Sequence, residues 1–399
     1  MRLLFVADGR SPIALNWIAY FADHGYEVHL ASTYPSAPDL KLAGLYIVPA
    51  AFSEAASGAR QRNEYSSGGT GFGKESTRSE KLRRWLPVGV RTSIRQWLGP
   101  LTLPRASQRL VEIFTLVKPD LVHAMRIPYE GMLATLADPA APLVVSIWGN
   151  DFTLHAVSNP WMGDLTRRTL RRADAIHADC QRDIRLAQTW GFPLDRPYRV
   201  LPGGGGVQLD QFYPAEKPPV EPSVINPRGL RAYIRNDTFF QAIPLVLKHC
   251  PQARFLCPAM DGEAEAKSWV EKLEIANYVE LLPRQTRFQM AELFRRSQVV
   301  VSPSTHDGTP NTLLEAMACG CFPVVGDIES LREWITPGVN GLLVDPGDPR
   351  AFADAIILGL ESAELRQRAA RLNRLSVEQR AEYGKVMGAA REYYQSLLK

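Results

Sequence analysis

Several signals that would set this chain apart from ordinary soluble enzymes are missing from its 399 residues. No apolar run approaches the roughly 18 residues that a membrane-spanning helix needs. The five cysteines are odd in number, and their spacing fits neither a disulfide framework nor a zinc site. The net charge of +4 is too small to indicate a nucleic-acid partner. We therefore expect a folded cytoplasmic protein with reduced thiols.

Familiar phosphate-binding and metal-binding motifs are missing as well. The sequence contains neither a P-loop nor the Gly-x-Gly-x-x-Gly fingerprint of dinucleotide-binding domains. The glycine run 203–206 precedes a linker rather than a clear helix, and we interpret it as a hinge. No cluster of metal-ligating residues is visible either, so we expect a protein that needs no cofactor and no metal ion.

Short, nearly continuous apolar runs recur through the chain, separated by helical stretches. Such runs are typical of parallel strands that are buried on both faces. The N-terminal residues 1–9 fit a first buried strand better than a signal peptide. Ser11 and Pro12 favour a helix start and Gly25 a helix stop, which predicts a first βαβ unit. Strands are predicted at 3–7, 27–32, 45–50, 120–125, 143–149 and 175–180.

The same pattern starts again after residue 215, beyond a Gly/Pro-rich linker at 202–222. Further strands are predicted at 223–227, 253–259, 278–283, 299–304, 322–327 and 341–346. This predicts an α/β protein with two doubly wound, Rossmann-like domains facing each other across a cleft. The expected bounds are 1–205 and 215–375, with a last helix at 380–399 that packs back on the first domain.

Charge is concentrated in one segment, since residues 51–110 hold 11 Lys or Arg and 4 Glu. Within it, 57–79 is Gly/Ser-rich and predicts a mobile loop. The stretch 81–98 is basic and amphipathic, with an apolar stripe through Val90, Ile94, Trp97 and Leu98. Peripheral contact with an anionic membrane is one interpretation of this stripe. Packing of the stripe on the domain core is the other.

The stretch STHDGTPNTLLEAMACG, Ser304–Gly320, carries the most specific chemistry. Thr309 suits a helix cap, Pro310 a first helical position and Gly320 a helix end. The N–H groups of residues 309–312, apart from Pro310, which has none, would then face an anion such as a diphosphate. Asp307 precedes these amides and Glu315 lies inside the helix, where carboxylates suit the hydroxyl groups of a sugar and a ribose. From spacing alone, an ordinary loop with a solvated Glu315 remains open.

This stretch resembles the signature of the family 4 glycosyltransferases, which are retaining enzymes of the GT-B fold. The chain departs from the signature at Asp307, where the family normally has glutamate. The resemblance covers most of 173–357 strongly and the first half of the chain weakly. The matching residues are Pro303, Ser304, Gly308, Pro310, Asn311, Glu315, Ala316, Met317, Ala318, Cys319 and Gly320.

The resemblance implies roles for residues of the second domain. Arg228 matches the family's arginine after the first strand, and Arg235, with Arg231 in reserve, stands near the family's lysine. These cations would neutralise the departing diphosphate. Catalytic roles are therefore expected for Asp307, Arg228 and Arg235. Donor binding is expected of Glu315, Gly308, Thr309, Pro310, Asn311, Thr312, Gly9 and Arg231.

In the first domain, 146–151 stands in the place of a His-Gly-x-x-Asp-type motif of many relatives. Trp148 replaces the histidine, and Gly149 and Asp151 fit the motif. Stacking of Trp148 on a sugar ring and burial in the core are both open. His155, one turn later, is either a source of an imidazole or an ordinary histidine. Trp148, Asp151 and His155 are the acceptor-side candidates.

The sequence thus predicts a retaining transferase that moves a hexosyl unit from a nucleoside diphosphate sugar to an acceptor hydroxyl. The acceptor is a saccharide, a lipid-linked precursor or a small molecule. The protein would be cytoplasmic, with the inner face of the membrane as the place of any peripheral contact. Two alternatives are a nucleotide-sugar 2-epimerase on the same fold and a nucleotide-sugar binding protein whose activity has decayed.

Overall fold

A computed structural model describes residues 1–53, 88–217 and 219–398, and of residues 88–92 it describes the backbone alone. The chain divides into two compact units. Unit 1 comprises Met1–Asp179, Asp183–Gly204 and Ala390–Lys399, and unit 2 comprises Cys180–Arg182 and Gly205–Ala389. The expected mobile loop at 57–79 and residues 81–87 of the basic amphipathic stretch lie outside the described residues.

In unit 1 the described strands form one parallel sheet. They are β1 (Arg2–Ala7), β2 (Glu27–Ser32), β3 (Gly44–Ile47), β4 (Leu121–Ala124), β5 (Leu143–Ile147), β6 (Ala175–Ala178) and β7 (Tyr198–Val200). Their order across the sheet is β3-β2-β1-β4-β5-β6-β7. Each of β1 to β6 overlaps one of the predicted apolar runs. β7 is not predicted by the pattern, because Tyr198 and Arg199 are exposed and leave no apolar run.

The described helices of the first half of the chain surround this sheet. They are α1 (Pro12–Asp23), α2 (Val88–Leu98), α3 (Leu103–Val117), α4 (Met132–Ala137), α5 (Pro160–Arg172) and α6 (Gln181–Thr189). The predicted start of α1 is confirmed, since the Ser11 side chain accepts a hydrogen bond from the Ala14 amide and Pro12 is the first helical residue. The predicted stop is confirmed as well, because Gly25 has a φ of +78° that favours glycine.

Unit 2 repeats the arrangement with strands β8 (Ser223–Ile225), β9 (Arg254–Pro258), β10 (Val279–Leu282), β11 (Val299–Ser302), β12 (Phe322–Gly326) and β13 (Leu342–Val344). These described strands are parallel, in the order β10-β9-β8-β11-β12-β13. The helices are α7 (Asn236–His249), α8 (Ala264–Lys272), α9 (Arg287–Arg295), α10 (Asn311–Ala318), α11 (Pro349–Glu361), α12 (Ala363–Arg380) and α13 (Tyr383–Ser396). Among the described helices of the chain, none is both long and apolar enough to cross a membrane.

The end of α13 is anchored in the core of unit 1. The ring of Tyr394 stacks on Phe21 at 4.8 Å between centroids, and its hydroxyl accepts a hydrogen bond of 2.9 Å from Trp17 Nε1. These aromatic side chains are buried. The contact therefore links α13, near the end of the chain, to α1, near the beginning of the chain.

Each sheet contains one point at which the strand order reverses direction. In unit 2 the reversal lies between β8 and β11, and in unit 1 it lies between β1 and β4. Loops that leave such neighbouring parallel strands diverge to opposite sides and open a crevice at the carboxyl ends of the strands. Two doubly wound, Rossmann-like sheets confirm the predicted α/β fold class. The two reversal points are where functional side chains are expected.

Candidate functional site

The loops that follow β8 and β11 bring Arg228 and Asp307 together in unit 2. Arg228 Nη2 lies 2.7 Å from Asp307 Oδ2, and both side chains are largely buried, with 11% and 14% of their surface exposed. Arg228 Nη1 also donates to Thr312 Oγ1 at 3.3 Å. Burial opposes the positive charge, but Asp307 and Tyr233 raise the pKa of Arg228. Three of the predicted site residues therefore form one charge-paired cluster.

Asp307 is held in place by hydrogen bonds to both carboxylate oxygens. Oδ2 accepts from Ser304 Oγ at 3.1 Å as well as from Arg228, and Oδ1 accepts from the Gly308 amide at 3.2 Å. The backbone carbonyl of Asp307 accepts from Ser330 Oγ at 2.7 Å. This carboxylate is therefore fixed in direction rather than free to swing.

The two loops are also joined through their backbones. The Arg235 amide donates to the Pro303 carbonyl at 2.9 Å, and the Thr305 amide donates to the Tyr233 carbonyl at 2.9 Å. The side chain of Arg235 turns elsewhere and forms a two-pronged ion pair with Asp237 at 2.8 and 2.7 Å. The backbone of Arg235 is thus joined to the loop that carries Asp307, but its side chain is paired with Asp237.

Arg231, the reserve candidate, is exposed and donates through Nε to the Arg228 carbonyl at 3.2 Å. Its remaining guanidinium nitrogens extend from the same loop that carries Arg228. Because an exposed arginine is hydrated, its attraction for a phosphate is weaker than that of a buried one. Arg228 is therefore the better placed of the two cations.

The start of α10 corrects the predicted capping. The helix begins at Asn311 and its N-cap is Pro310, one residue later than expected. Thr309 therefore precedes the N-cap, and its hydroxyl accepts a hydrogen bond of 3.0 Å from the buried Trp334 Nε1. The amides of Leu313 and Leu314 bond to the Pro310 carbonyl, whereas the first amides of a helix have no partner within it. The predicted helix end is confirmed, with Gly320 at a φ of +89°.

Glu315 lies one turn inside α10 and is buried, with 9% of its surface exposed. Burial raises the pKa of its carboxyl to about 7, and the positive charge of Arg287 opposes this shift. The solvated alternative left open by the sequence is therefore wrong. Glu315 thus places a buried carboxyl one turn from the N-terminal amides of α10, where it is well suited to accept hydrogen bonds from a hydroxyl group.

A second polar region lies in unit 1, at the reversal point between β1 and β4. A cavity opens there between the loops that follow β1, β2, β4 and β5. Its charged groups are two carboxylates and two arginines, and aromatic rings form part of its wall. The lining residues are Asp8, Ser11, Ala14, Tyr34, Arg95, Met125, Arg126, Pro128, Glu130 and Trp148.

Asp151 holds two residues of the cavity wall, Arg126 and Trp148, in place. Its buried carboxylate accepts from Arg126 Nε at 2.8 Å, from the Trp148 amide at 3.1 Å and from the Ile127 amide at 3.3 Å. Burial raises the pKa of Asp151, and Arg126 opposes the shift. The guanidinium of Arg126 in turn lies 5.3 Å from the Trp148 ring centroid. Asp151 is thus a positioning residue, whereas Trp148 reaches the cavity.

Glu130 is the carboxylate that the sequence did not single out. It is buried; Oε1 accepts from Thr33 Oγ1 at 2.7 Å and Oε2 from the Tyr129 amide at 2.8 Å. Burial raises its pKa. Thr33 and Glu130 lie 97 positions apart in sequence, so no local motif marks the pair. Only the pairing of β1 with β2 and with β4 brings their loops together.

The other first-domain candidates are engaged in structural contacts. The Gly9 amide donates to Ser32 Oγ at 3.0 Å, and a Cβ at this position would lie 2.2 Å from Ser36 Oγ. A side chain at this position would displace the Ser36 and Ser32 hydroxyls. His155 is buried beside Gln96, with 3.2 Å between His155 Nδ1 and Gln96 Nε2. Burial, with Arg126 and Arg95, lowers its pKa well below the usual value, so the ring is neutral.

Comparison with known proteins agrees with this geometry. The model of the family described as Glycosyl transferases group 1 matches residues 229–375. The model described as Glycosyl transferase 4-like domain matches residues 9–204. The two matches lie on opposite sides of the linker.

Curated relatives include D-inositol 3-phosphate glycosyltransferases. The one from Thermobispora bispora is 27% identical over 214 residues, which is 49% of each chain. The one from Mycolicibacterium smegmatis is 29% identical over 189 residues, which is 45% of this chain and 42% of that protein. The chain therefore spans about half of the length of the curated relatives it matches.

Solved structures share the fold over the whole chain. Sucrose-phosphate synthase from Thermosynechococcus elongatus has a TM-score of 0.73 at 16% identity, covering 100% of this chain and 99% of that chain. Anabaena HepE, in complex with UDP-glucose, has a TM-score of 0.69 at 17% identity, covering 99% and 100%. With both halves matched by glycosyltransferase models and the GT-B fold shared throughout, the chain belongs to the family 4 glycosyltransferases, a family of transferase enzymes.

Proposed function

We propose that this protein is a retaining glycosyltransferase that transfers a hexosyl unit from a nucleoside diphosphate sugar to an acceptor hydroxyl. The observation that carries the proposal is the cluster of Arg228, Asp307 and Thr312 at the start of α10, with Glu315 buried one turn further on. The cluster combines a helix N-terminus, a buried cation and two carboxylates of different surroundings. These groups suit the diphosphate, the sugar and the ribose of a nucleotide-sugar.

The diphosphate would bind at the N-terminal amides of α10. Unpaired amides and the positive end of the helix dipole favour an anion there. Arg228 would add a positive charge, and its attraction for the leaving diphosphate would strengthen as that group gains negative charge. In this proposal the arginine and the helix supply the neutralisation, and no metal ion is assigned to the step.

Asp307 would orient the sugar rather than attack it. Both of its oxygens already accept hydrogen bonds, from Arg228 and Ser304 on one side and from the Gly308 amide on the other. A carboxylate so engaged is a weak nucleophile but a good fixed acceptor for sugar hydroxyls. Retention would then arise without a protein nucleophile, as the departing diphosphate helps to deprotonate the acceptor on the same face of the sugar.

Glu315 would accept hydrogen bonds from the ribose hydroxyls. Its burial makes the ionised carboxyl costly in the free protein, and a ligand that donates two hydrogen bonds offsets that cost. The names of relatives fit a nucleotide-sugar donor, since Anabaena HepE binds UDP-glucose.

The acceptor would bind in the unit 1 cavity. Its mixture of carboxylates, arginines and aromatic rings suits a polyhydroxylated ligand, because rings stack on sugars and charged groups accept or donate to hydroxyls. A saccharide, a lipid-linked precursor and a small molecule all remain in this class. The five cysteines are free and buried, which fits the reducing cytoplasm where we place the protein.

A thermal-shift screen with UDP-, GDP- and ADP-sugars tests the donor site directly. A ligand that binds only the folded state raises its melting temperature. We expect one nucleotide series to stabilise the wild type and the exposed control variant Glu364→Ala, but not Glu315→Ala. The proposal fails if no nucleotide-sugar shifts the wild type at millimolar concentration.

Incubation with the identified donor then separates the reaction types. Sugar release to water, or transfer to an added acceptor, with the anomeric configuration kept, is expected and is read by NMR. Inversion at the anomeric carbon would exclude the retaining mechanism. Formation of the 2-epimer would indicate the epimerase, and binding without any turnover would indicate a binding protein.

A further inference from the structure

Helix α2 carries an apolar stripe on its outer face. The side chains of Ile94, Trp97, Leu98 and Leu101, the last in the turn that follows the helix, are exposed by 45%, 58%, 46% and 60%. Their spacing of three, four and seven positions places them on one helical face. The sequence left open whether the stripe packs on the core, and for these described residues it does not.

Two polar residues of the same helix, Gln96 and Arg95, face inward. Gln96 is 7% exposed and its side chain donates to the Leu154 carbonyl at 3.4 Å, while its own carbonyl accepts from Asn159 Nδ2 at 3.1 Å. The Arg95 carbonyl accepts from the Tyr129 hydroxyl at 2.7 Å, and its side chain lines the unit 1 cavity. The helix is thus fixed with its apolar side out, which reverses the usual orientation of a surface helix.

Positive charge follows the stripe along the chain. Arg105 and Arg109 lie four and eight positions after Leu101, at helical spacing on α3. Both are exposed, and neither has an ion-pair partner within the part of the chain that the structure describes. The stretch 93–118 contains four cationic residues, and Glu112 is its one acidic residue. An exposed tryptophan-bearing stripe followed by exposed arginines matches the surface of an anionic bilayer, where apolar side chains enter the interface and arginines meet headgroups.

We propose that this surface, formed by Ile94, Trp97, Leu98 and Leu101 with Arg105 and Arg109, docks unit 1 on an anionic lipid membrane. A second copy of the chain would have to place the arginines of one copy near those of the other across a two-fold interface. A bilayer rich in anionic lipid imposes no such repulsion. The charge therefore favours the membrane as the occupant.

Vesicle flotation with the full chain tests the proposal. The wild type is expected to float with vesicles of phosphatidylcholine and phosphatidylglycerol, and to remain at the bottom with phosphatidylcholine alone. Trp97→Ser combined with Leu101→Ser should reduce the bound fraction at least about tenfold, because two apolar anchors are lost. Arg105→Glu with Arg109→Glu should reduce binding by about fivefold per arginine at low salt.

The matched control is Leu194→Ser, which removes a leucine of unit 1 that is 78% exposed outside this surface. It should float like the wild type. Thermal melting of each variant shows whether the fold is kept, and Leu98→Ser serves as a milder replacement if the double variant does not fold. Absence of wild-type flotation overturns the proposal, as does equal loss in Leu194→Ser. A dimer in solution that Trp97→Ser and Leu101→Ser dissociate would assign the surface to a second copy instead.

Discussion

The reversal points of the two sheets have the same strand arrangement but carry different side chains. In unit 2, one strand–loop–helix segment supplies Asp307, Thr312 and Glu315, and one neighbouring loop adds Arg228. In unit 1, four separate loops each contribute one to four residues to the cavity wall, and helix α2 adds Arg95. The first arrangement is local in sequence, and the second exists only after folding.

The electrostatics differ in the same way. In unit 2, Asp307 holds the Arg228 guanidinium in place at 2.7 Å, beside the N-terminus of α10. In the cavity of unit 1, Arg126 is paired with Asp151, whereas Glu130 accepts hydrogen bonds from a hydroxyl and an amide. A fixed arginine beside a helix N-terminus suits one kind of ligand group, an anion such as a diphosphate. A mixed cavity can change its ligand through any of four loops.

The largest effect is expected from Arg228→Ala. Loss of one preorganised donor to a developing negative charge typically costs about 10²- to 10³-fold in rate. It would also leave Asp307 buried without its ion pair, so the melting temperature should fall. The measurement is kcat/KM with the donor found by thermal shift. Arg231→Ala, on the same loop but exposed, should change kcat/KM by less than about threefold. Similar losses in both variants would contradict the assignment of Arg228.

The second effect separates the two units by their response to acid. In unit 1, buried side chains form a linear chain of hydrogen bonds. Trp17 Nε1 donates to the Tyr394 hydroxyl, which in turn contacts His123. The Ser146 hydroxyl then bridges His123 and His177, at 2.8 Å from each ring. His177 Nε2 completes the chain by donating to a carbonyl at 2.9 Å. Every member is satisfied only with both histidines neutral.

Burial lowers the pKa of His177 to about 4 and that of His123 well below its usual value. A lowered histidine pKa leaves stability intact above the unfolded value near 6.5. Stability is then lost as the pH falls towards 4, by about 3 kcal/mol for His177. Calorimetry from pH 8 to pH 4 should show this loss in the wild type and in His249→Gln, an exposed control in unit 2. A flat profile over this range would contradict the neutral chain.

The third effect tests the cavity alone. Glu130→Gln keeps the shape of the side chain but replaces one acceptor oxygen by an NH2 donor. The Thr33 hydroxyl and the Tyr129 amide can then no longer both donate to it, which disturbs the loop after β4. Transfer to an acceptor should fall by about tenfold to a hundredfold, corresponding to roughly 1–3 kcal/mol for a buried polar group left unpaired. Hydrolysis of the donor by water should stay unchanged. Glu112→Gln, exposed on α3, is the control, and a parallel loss of hydrolysis would move Glu130 out of the acceptor site.

The sequence predicts the local features of this molecule well. Near-continuous apolar runs mark twelve of the strands, and Asp307 and Glu315 stand out because their spacing follows one strand–loop–helix pattern. Arg228 is identified through the family resemblance instead. The predicted helix start is one residue too early, since the N-cap is Pro310. The contact of the Thr309 hydroxyl with Trp334, 25 positions away, leaves no trace in the local pattern.

The features that escaped the sequence are those made by distant contacts. Glu130 meets Thr33 across 97 positions, and Arg126 meets Asp151 across 25. The direction of α2 escaped for a different reason. Periodicity shows that Ile94, Trp97 and Leu98 share a face, but not whether that face points to the core or to solvent. The buried contacts of Gln96 decide it.

The smallest effect concerns the protonation of Glu315 and has the opposite sign to that of the histidines. Its pKa of about 7 lies above its unfolded value, so burial of the charged form costs unit 2 stability as the pH rises from about 4.5 to 7. A bound ribose reverses the preference, because its hydroxyls donate to the ionised carboxylate. Donor affinity should therefore weaken by about tenfold between pH 8 and pH 6, where about nine-tenths of the carboxyl is protonated. Calorimetric titration of wild type and Glu315→Gln measures it. The variant should bind weakly at every pH, and a wild-type slope that survives in Glu315→Gln would have to come from another group.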